Sequence, residues 1–417
     1  MIAGTPEGAH GRRPRIGFVG SMNAMPMAYA LKFHRDGFDV RYVVEADRSD
    51  YLMRPEHQYA REVAYPYPPW IIELPWISDI AHAARLPWSN RAAVQAMQDR
   101  DVVFLNDYGL ALATAMPRRA VCVALSSGAD IDVLCRPEMA LAFAAQTRRR
   151  LLYPLRLALE LRRTALHRSG LRRCEVISYF PRGLNPVGDA LIAQLGRGAQ
   201  AVERYDVNFE AAGVRPVPVL RRPLTRILVP VRFNLLPLAG QTFEYKGNDL
   251  ILRALARYRQ RQPGLEIHLF EKGPAPDLAL ARQLVAELGL QDCVVWHPTM
   301  PLAQLLDLYA DCDLCFDQVG NHWMGAVGCY ALFIGRPLIA NARLDVFGRL
   351  WGDATPILHA TSVDEIHAQL LRCEDLAFRE RVAEAGHAFA REHLDTESVY
   401  QRLRAAIETQ LQGRAVT

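Results

Sequence analysis

The chain has 417 residues, more than one hydrophobic core ordinarily serves, so two domains are expected. Half of the residues are apolar and 23% are charged, the composition of a soluble globular chain, which excludes disorder, collagen-like structure and coiled coil as the main architecture. The net charge is +4, yet residues 147–174 hold nine arginines and one acid, Glu160, so that stretch alone carries +8 and the remainder is net acidic.

Residues 1–13 contain no apolar signal core and read as a flexible tail, with no expectation of export. Residues 15–20, RIGFVG, form an apolar run ending in glycine. A helical stretch follows over 26–36, then a second strand, FDVRYVVEA, over 38–46. The segment 65–76, YPYPPWIIELPW, with Trp88 nearby, concentrates aromatics. It reads either as a ligand- or lipid-facing loop or as a proline-rich loop packed on the sheet. DVVFLND (101–107) and VCVAL (121–125) are further strands, each followed by a polar or glycine-containing loop. Strand, loop, helix, strand is the pattern of parallel α/β units. The apolar run at 139–145 stops at Gln146 and three arginines, well short of the roughly 18 residues of a membrane span. In the basic stretch 147–174, Leu151, Leu155 and Leu159 recur at helical spacing among arginines. Such a helix either lies on an anionic membrane surface or packs its leucines inward and solvates its arginines. Nucleic acid is not expected as a partner, since no paired recognition motif or interleaved aromatics accompany the charge.

Pro216, Pro218 and Pro223 mark residues 216–225 as a linker. The strand–helix pattern then restarts: RILVPV (226–231) and EIHLF (266–270) are strands around an amphipathic helix over 247–261. CVVWH, DLCFD and PLIA follow as strands separated by helices. The C-x-x-C pair Cys312 and Cys315 sits in an apolar run with no second pair to complete a zinc site. All eight cysteines are expected to be reduced, in a cytosolic compartment. Two doubly wound domains would bind ligands beyond the carboxyl ends of their strands. There, Gly320, Gly325 and Gly328 lie between a strand and a helix and suit an anion at the helix start. Arg232 follows the first strand of the second half directly, and Lys246 precedes the next helix. Both are cations placed to neutralise a diphosphate. Glu271, at the end of the next strand, could reach a bound base or phosphate.

The ordered series VPVRF, YKGNDLILRALA, IHLFEKGP, VVWHPTMPLAQLLDLYADCDLCF and MGAVGCYALFIGRPLIA resembles the donor-binding domain of GT-B glycosyltransferases, particularly the retaining family four, over residues 225–345. Residues 374–403 resemble the closing helices of that family, and the N-terminal half is similar only in pattern. The resemblance implies an α/β fold of two Rossmann-like doubly wound domains facing a cleft. The acceptor domain is expected over 14–215, with the basic helical insert 147–174. The nucleotide-sugar domain is expected over 226–392, and a closing helix at 393–417 that crosses back to the first domain. The family's diphosphate-gripping arginine and lysine fall on Arg232 and Lys246, and its helix-start glycine on Gly325, beside Ala326. Its two glutamates fall on His322 and Tyr330, so a histidine would meet the sugar and a neutral phenol the ribose. Asp317 and Gln318 match a branch of the family with Asp-Gln ahead of this loop. On the acceptor side the family's histidine falls on Ser127, Asp130 is kept, and Asn23 lies after the first strand.

The implied activity is transfer of a hexosyl group from a nucleotide-diphosphate sugar to a glycan or lipid-linked glycan in bacterial surface polysaccharide biosynthesis, with retention. Arg232, Lys246 and His322 would be the catalytic residues. No metal and no other cofactor is expected, and the chain would be cytoplasmic or peripheral on the inner membrane face through 147–174. The alternatives are another GT-B nucleotide-sugar enzyme such as an epimerase, or a catalytically retired partner subunit.

Overall fold

A computed structural model describes residues 12–46, 52–75, 80, 83–84, 90–147, 149–198, 201–237, 244–352 and 354–415. Most of the tail expected at 1–13, together with Trp76, Trp88 and Arg148, lies outside the described residues. The central strands form where the sequence is continuously apolar: Ile16–Val19 (β1), Val102–Leu105 (β4) and Val121–Leu125 (β5) are buried at every position. That is the signature of parallel strands covered on both faces. With Val40–Glu45 (β2), Ile71–Leu74 (β3), Val176–Tyr179 (β6) and Ala201–Glu203 (β7) they make a seven-stranded sheet of order β3-β2-β1-β4-β5-β6-β7. Every pair in it is parallel.

The second sheet repeats the plan. Arg226–Val229 (β8), Glu266–Phe270 (β9), Val294–His297 (β10), Leu314–Phe316 (β11), Leu338–Ala340 (β12) and Leu358–His359 (β13) are ordered β10-β9-β8-β11-β12-β13. All of these pairs are parallel as well. Both sheets have the doubly wound 3-2-1-4-5-6 order, so each has a switch point: between β1 and β4 in one, between β8 and β11 in the other. The core beneath the second switch point is apolar, with Ile227, Val229, Ile251, Leu255, Leu314 and Phe316 all buried.

The chain divides into two compact units, residues 1–205 with 396–417, and residues 206–395. The proline-rich stretch expected as a free linker at 216–225, with the boundary at 215, instead belongs to the second unit. Proline offers no N–H for a ladder, so the segment is held through its carbonyls and neighbours. Arg336, 1% exposed, donates to Pro218 O at 2.9 Å, the Val217 amide bonds Ile334 O at 2.9 Å, and Phe209 stacks on Phe333 at 4.0 Å. The final helix, Thr396–Ala415, packs in the first unit. Tyr400 sets its ring against Phe33 at 4.8 Å and donates to Asp36 Oδ2 at 2.6 Å, and Lys32 pairs with Glu397 at 2.7 Å.

The basic stretch is a helix over Tyr153–Arg173. It buries Glu160 between Arg156 and Arg163, at 2.5 and 2.6 Å, with Arg163 over the Phe143 ring. Two of the leucines that could have packed inward do not: Leu151 is 95% exposed and Leu155 61%. In the aromatic segment, Trp70 stacks on His34 at 4.8 Å, and Tyr67 donates to Glu56 at 2.6 Å under the buried guanidinium of Arg54. No helix among the described residues is long and apolar enough to cross a membrane.

Candidate functional site

At the β8/β11 switch point the chain brings two loops into backbone contact. The Lys246 carbonyl accepts the amides of Val319 (3.0 Å) and Gly320 (3.1 Å), and the Tyr245 carbonyl accepts Asn321 N at 3.3 Å. Glycine makes this approach possible. A Cβ on Gly320 would strike the Tyr245 carbonyl, and one on Gly247, whose φ is +79°, would lie 2.5 Å from Val319 Cγ2. Lys246 is thereby fixed beside the loop that follows β11. Its side chain is 18% exposed and reaches Glu244 at 3.5 Å. Arg232, three residues past β8, is exposed, and its guanidinium has no ion pair or hydrogen bond among the described residues.

Asp317 follows β11 and is 3% exposed. Its carboxylate accepts the amides of Gln318 (2.6 Å), Gly325 (2.5 Å) and Gly328 (2.9 Å). A Cβ on Gly328 would sit 2.7 Å from that carboxylate, so the glycine is a condition of the arrangement. Burial pushes the Asp317 carboxyl above its usual range, against the opposing pull of the three amides and of the Lys246 charge. Asp317, expected among the donor contacts, therefore turns inward and ties the loop to the helix start, where three backbone amides satisfy its carboxylate.

The helix Ala326–Ile334 begins after Gly325. Asp317 occupies the amides on either side of its first residues, while Ala326 is exposed. Among the described residues the Ala326 and Val327 amides bond nothing. Two N–H groups thus remain for an anion at this helix start. Gln318 is also turned inward: its side-chain amide donates to Trp323 O. Trp323 in turn stacks on Trp351 at 4.9 Å, which anchors the 321–324 loop bearing half-buried His322. Tyr330 is half-buried, edge-on to Phe209 and Tyr309 at 6.5 Å each, and burial raises its phenol so that it stays neutral. Glu271 is already paired with Arg282, whose guanidinium lies over Trp296 at 4.5 Å, so it presents a neutralised carboxylate rather than a free one. Sequence reasoning thus placed Arg232, Lys246, Gly325 and Ala326 at one edge. It did not foresee that Asp317, Gln318 and Glu271 are committed to protein partners.

In the first unit, Asn23 is exposed and left-handed at φ 53°, beside Ala24 at 49°. Ser127 Oγ accepts from Asn106 Nδ2 at 3.3 Å. Asp130 is 1% exposed and accepts from Ser126 Oγ (2.5 Å), Gly128 N (3.1 Å), Ser127 N and Asp107 N (3.3 Å each). Expected on the acceptor side, Asp130 shapes its loop from inside, and burial raises its carboxyl. Asn106 was missed. It accepts the Met22 amide at 2.9 Å and donates to Leu125 O at 2.8 Å, joining the ends of β1, β4 and β5. The signal for it was there, an Asn-Asp pair closing the apolar run VVFL. Among the described residues, no cluster of three or more His, Cys, Asp or Glu could hold a metal ion.

No protein-family model matches the sequence. A D-inositol 3-phosphate glycosyltransferase of Arthrobacter is 24% identical over 236 residues, which are 48% of this chain and 56% of that protein, so the match spans little more than half of the relative's length. Among solved structures, sucrose-phosphate synthase from Thermosynechococcus elongatus superposes with a TM-score of 0.62 at 16% identity, covering 97% of this chain and all of that one. HepE of Anabaena, solved with UDP and glucose, does so at 0.61 and 15%, covering 95% of this chain and all of that one. The chain thus has the α/β GT-B fold of two Rossmann-like units and is similar in sequence to glycosyltransferases.

Proposed function

We propose that the chain is a glycosyltransferase that takes a hexosyl group from a nucleoside diphosphate sugar and delivers it, with retention, to a glycan or lipid-linked glycan of a bacterial surface polysaccharide. The observation that carries the reading is the uncommitted guanidinium of Arg232 at the same strand edge as Lys246 and the open amides of Ala326 and Val327. Two cations and two N–H dipoles offset the charge of a diphosphate, including the charge that grows as it departs. A transfer of this kind asks little acid–base work of the protein: the departing phosphate oxygen can take the acceptor proton, and the site supplies position and field. On this reading His322 faces the sugar and Tyr330 the ribose, the phenol as a neutral partner. The similarity to a curated glycosyltransferase and the UDP and glucose bound to HepE favour such a donor.

The test is calorimetry with UDP and GDP, followed by incubation with UDP- and GDP-sugars. A charged hydrogen-bond partner contributes about 1.5–3 kcal/mol, so Arg232→Ala or Lys246→Ala should weaken nucleotide binding roughly 10- to 100-fold. Unchanged affinity in both variants removes the site. Slow donor hydrolysis supports transfer, isomerised donor indicates an epimerase, and no nucleotide binding indicates a retired partner subunit.

On this reading the protein also docks on an anionic membrane surface through 147–174. Leu155 and Leu161 on the basic helix and Leu151 in the turn before it are exposed, as is Leu141, with Arg149, Arg150 and Arg162 also exposed. Vesicles containing phosphatidylglycerol should sediment the protein. Replacing Leu151 and Leu155 with serine should abolish this without lowering Tm, since both side chains are already in water. Equal sedimentation of that variant defeats the membrane reading.

A further inference from the structure

We propose that the second unit carries another ligand site, distinct from the diphosphate edge, that binds a small neutral polyhydroxylated molecule, a free sugar or cyclitol. An open cavity of about 500 Å³ lies at the carboxyl ends of β11, β12 and β13, lined by Tyr245, Leu250, Arg343, Asp345, His359 and Thr361 and bordered by the 319–321 loop that the Tyr245 and Lys246 carbonyls hold. That volume is in the range of small-molecule sites. Neither Arg232 nor Lys246 lines it.

The chemistry of the lining is specific. His359 Nδ1 accepts the Ala342 amide at 3.1 Å, so the ring proton sits on Nε2, and that N–H has no partner among the described residues. Arg343 grips both oxygens of Asp345, at 2.8 and 2.7 Å, which leaves each oxygen a further lone pair. Asp345 is 61% exposed and can use them. Thr361 donates its hydroxyl to Glu365 at 3.0 Å and keeps its acceptor capacity. Leu250 and Leu344 supply apolar wall. Arg343 is held in the left-handed region, at φ 46°, by Asn341 Oδ1, which accepts its amide at 2.9 Å, while Asn341 Nδ2 donates to Gly320 O at 2.7 Å. A strained residue persists only where its surroundings over-determine it. The lining carries one cation, one anion and a neutral imidazole. That balance offers no net attraction for phosphate or metal. It presents a free donor and several acceptors with an apolar face, which is what a ring of hydroxyls and C–H groups matches.

Saturation-transfer NMR on the full chain with D-glucose, D-mannose, D-galactose, myo-inositol and inorganic phosphate tests this. At least one polyol should give transfer. Its affinity should fall about tenfold or more in Asp345→Ala, which removes a charged acceptor, and likewise in Leu250→Trp, which fills the cavity. In Arg232→Ala it should be unchanged. The proposal fails if no polyol binds, if phosphate alone binds, or if neither cavity variant weakens binding. It fails also if Arg232→Ala abolishes polyol binding, because the sugar would then occupy the diphosphate edge.

Discussion

Asp317 shows how one buried side chain decides what a helix start can bind. Its carboxylate takes the amides of Gly325 and Gly328 and leaves those of Ala326 and Val327 open. Asn in its place keeps the shape but turns an NH₂ toward one of those amides, so a buried donor loses its acceptor. We expect Asp317→Asn to cost about 1–3 kcal/mol in urea unfolding and to weaken UDP binding as the loop loosens. A variant as stable and as tight-binding as the parent would show that Asp317 does not organise the site. This role was not legible in the sequence. The positions of Arg232 and Lys246 were, because a strand end and a helix start follow from an apolar run and a glycine. Whether the acid one residue past β11 turns toward solvent or toward the backbone depends on which amides the fold leaves unpaired, and no local pattern records that. Nor does any pattern record that Arg282 neutralises Glu271 from the neighbouring helix.

At the scale of elements, the central strands were readable and the edges were not. VCVAL is a strand over the residues read from its apolar run, 121–125, because a parallel strand buried on both faces is continuously apolar, and EIHLF over 266–270, where buried Ile267 and Leu269 alternate with half-buried Glu266 and His268. By contrast β3 lies inside the aromatic loop, β7 has three residues and β13 two, too short for any period to show. The second sheet also carries a titratable chain that runs across β8, β9 and the edge strand β10. His268 Nε2 meets Glu266 at 2.6 Å and His268 Nδ1 meets His297 Nε2 at 2.8 Å, with Arg226 beside Glu266 at 3.3 Å. A carboxylate accepts, so His268 carries a proton on the Nε2 that faces Glu266. Burial, then the neighbouring His268, lowers the His297 pKa below 6.5. The unfolded chain therefore binds more protons in the window below 6.5, and stability must fall as pH drops through it. Urea unfolding across roughly pH 5 to 8 should show that decline, and His297→Asn should flatten it. An identical slope in the variant would assign the pH dependence elsewhere.

For the whole molecule, the sequence pattern conveyed two α/β halves but not where the chain passes between them. The prolines at 216–225 suggested a hinge, yet they are laid along the second unit by Arg336. The chain leaves the second unit again at Asp395, and its last helix completes the first unit. Stability of the first unit thus depends on residues about 360 positions away from those they contact, as with Tyr400 against Phe33 and Asp36. Tyr400 is 1% exposed, with Val399, Leu403 and Ile407 buried on the same helix. Truncating a buried aromatic costs about 3–5 kcal/mol, so Tyr400→Ala should lower the unfolding transition of the first unit. Hydrogen exchange should then accelerate in Met25–Arg35 and the strands β1 and β4. Exchange in β8, β9 and β11 should stay at the parent's rate, because among the described residues their core cluster is drawn from 206–395. Equal acceleration in both sheets would mean that the two units unfold as one, and the division at Tyr205 and Asp395 would then carry no energetic meaning.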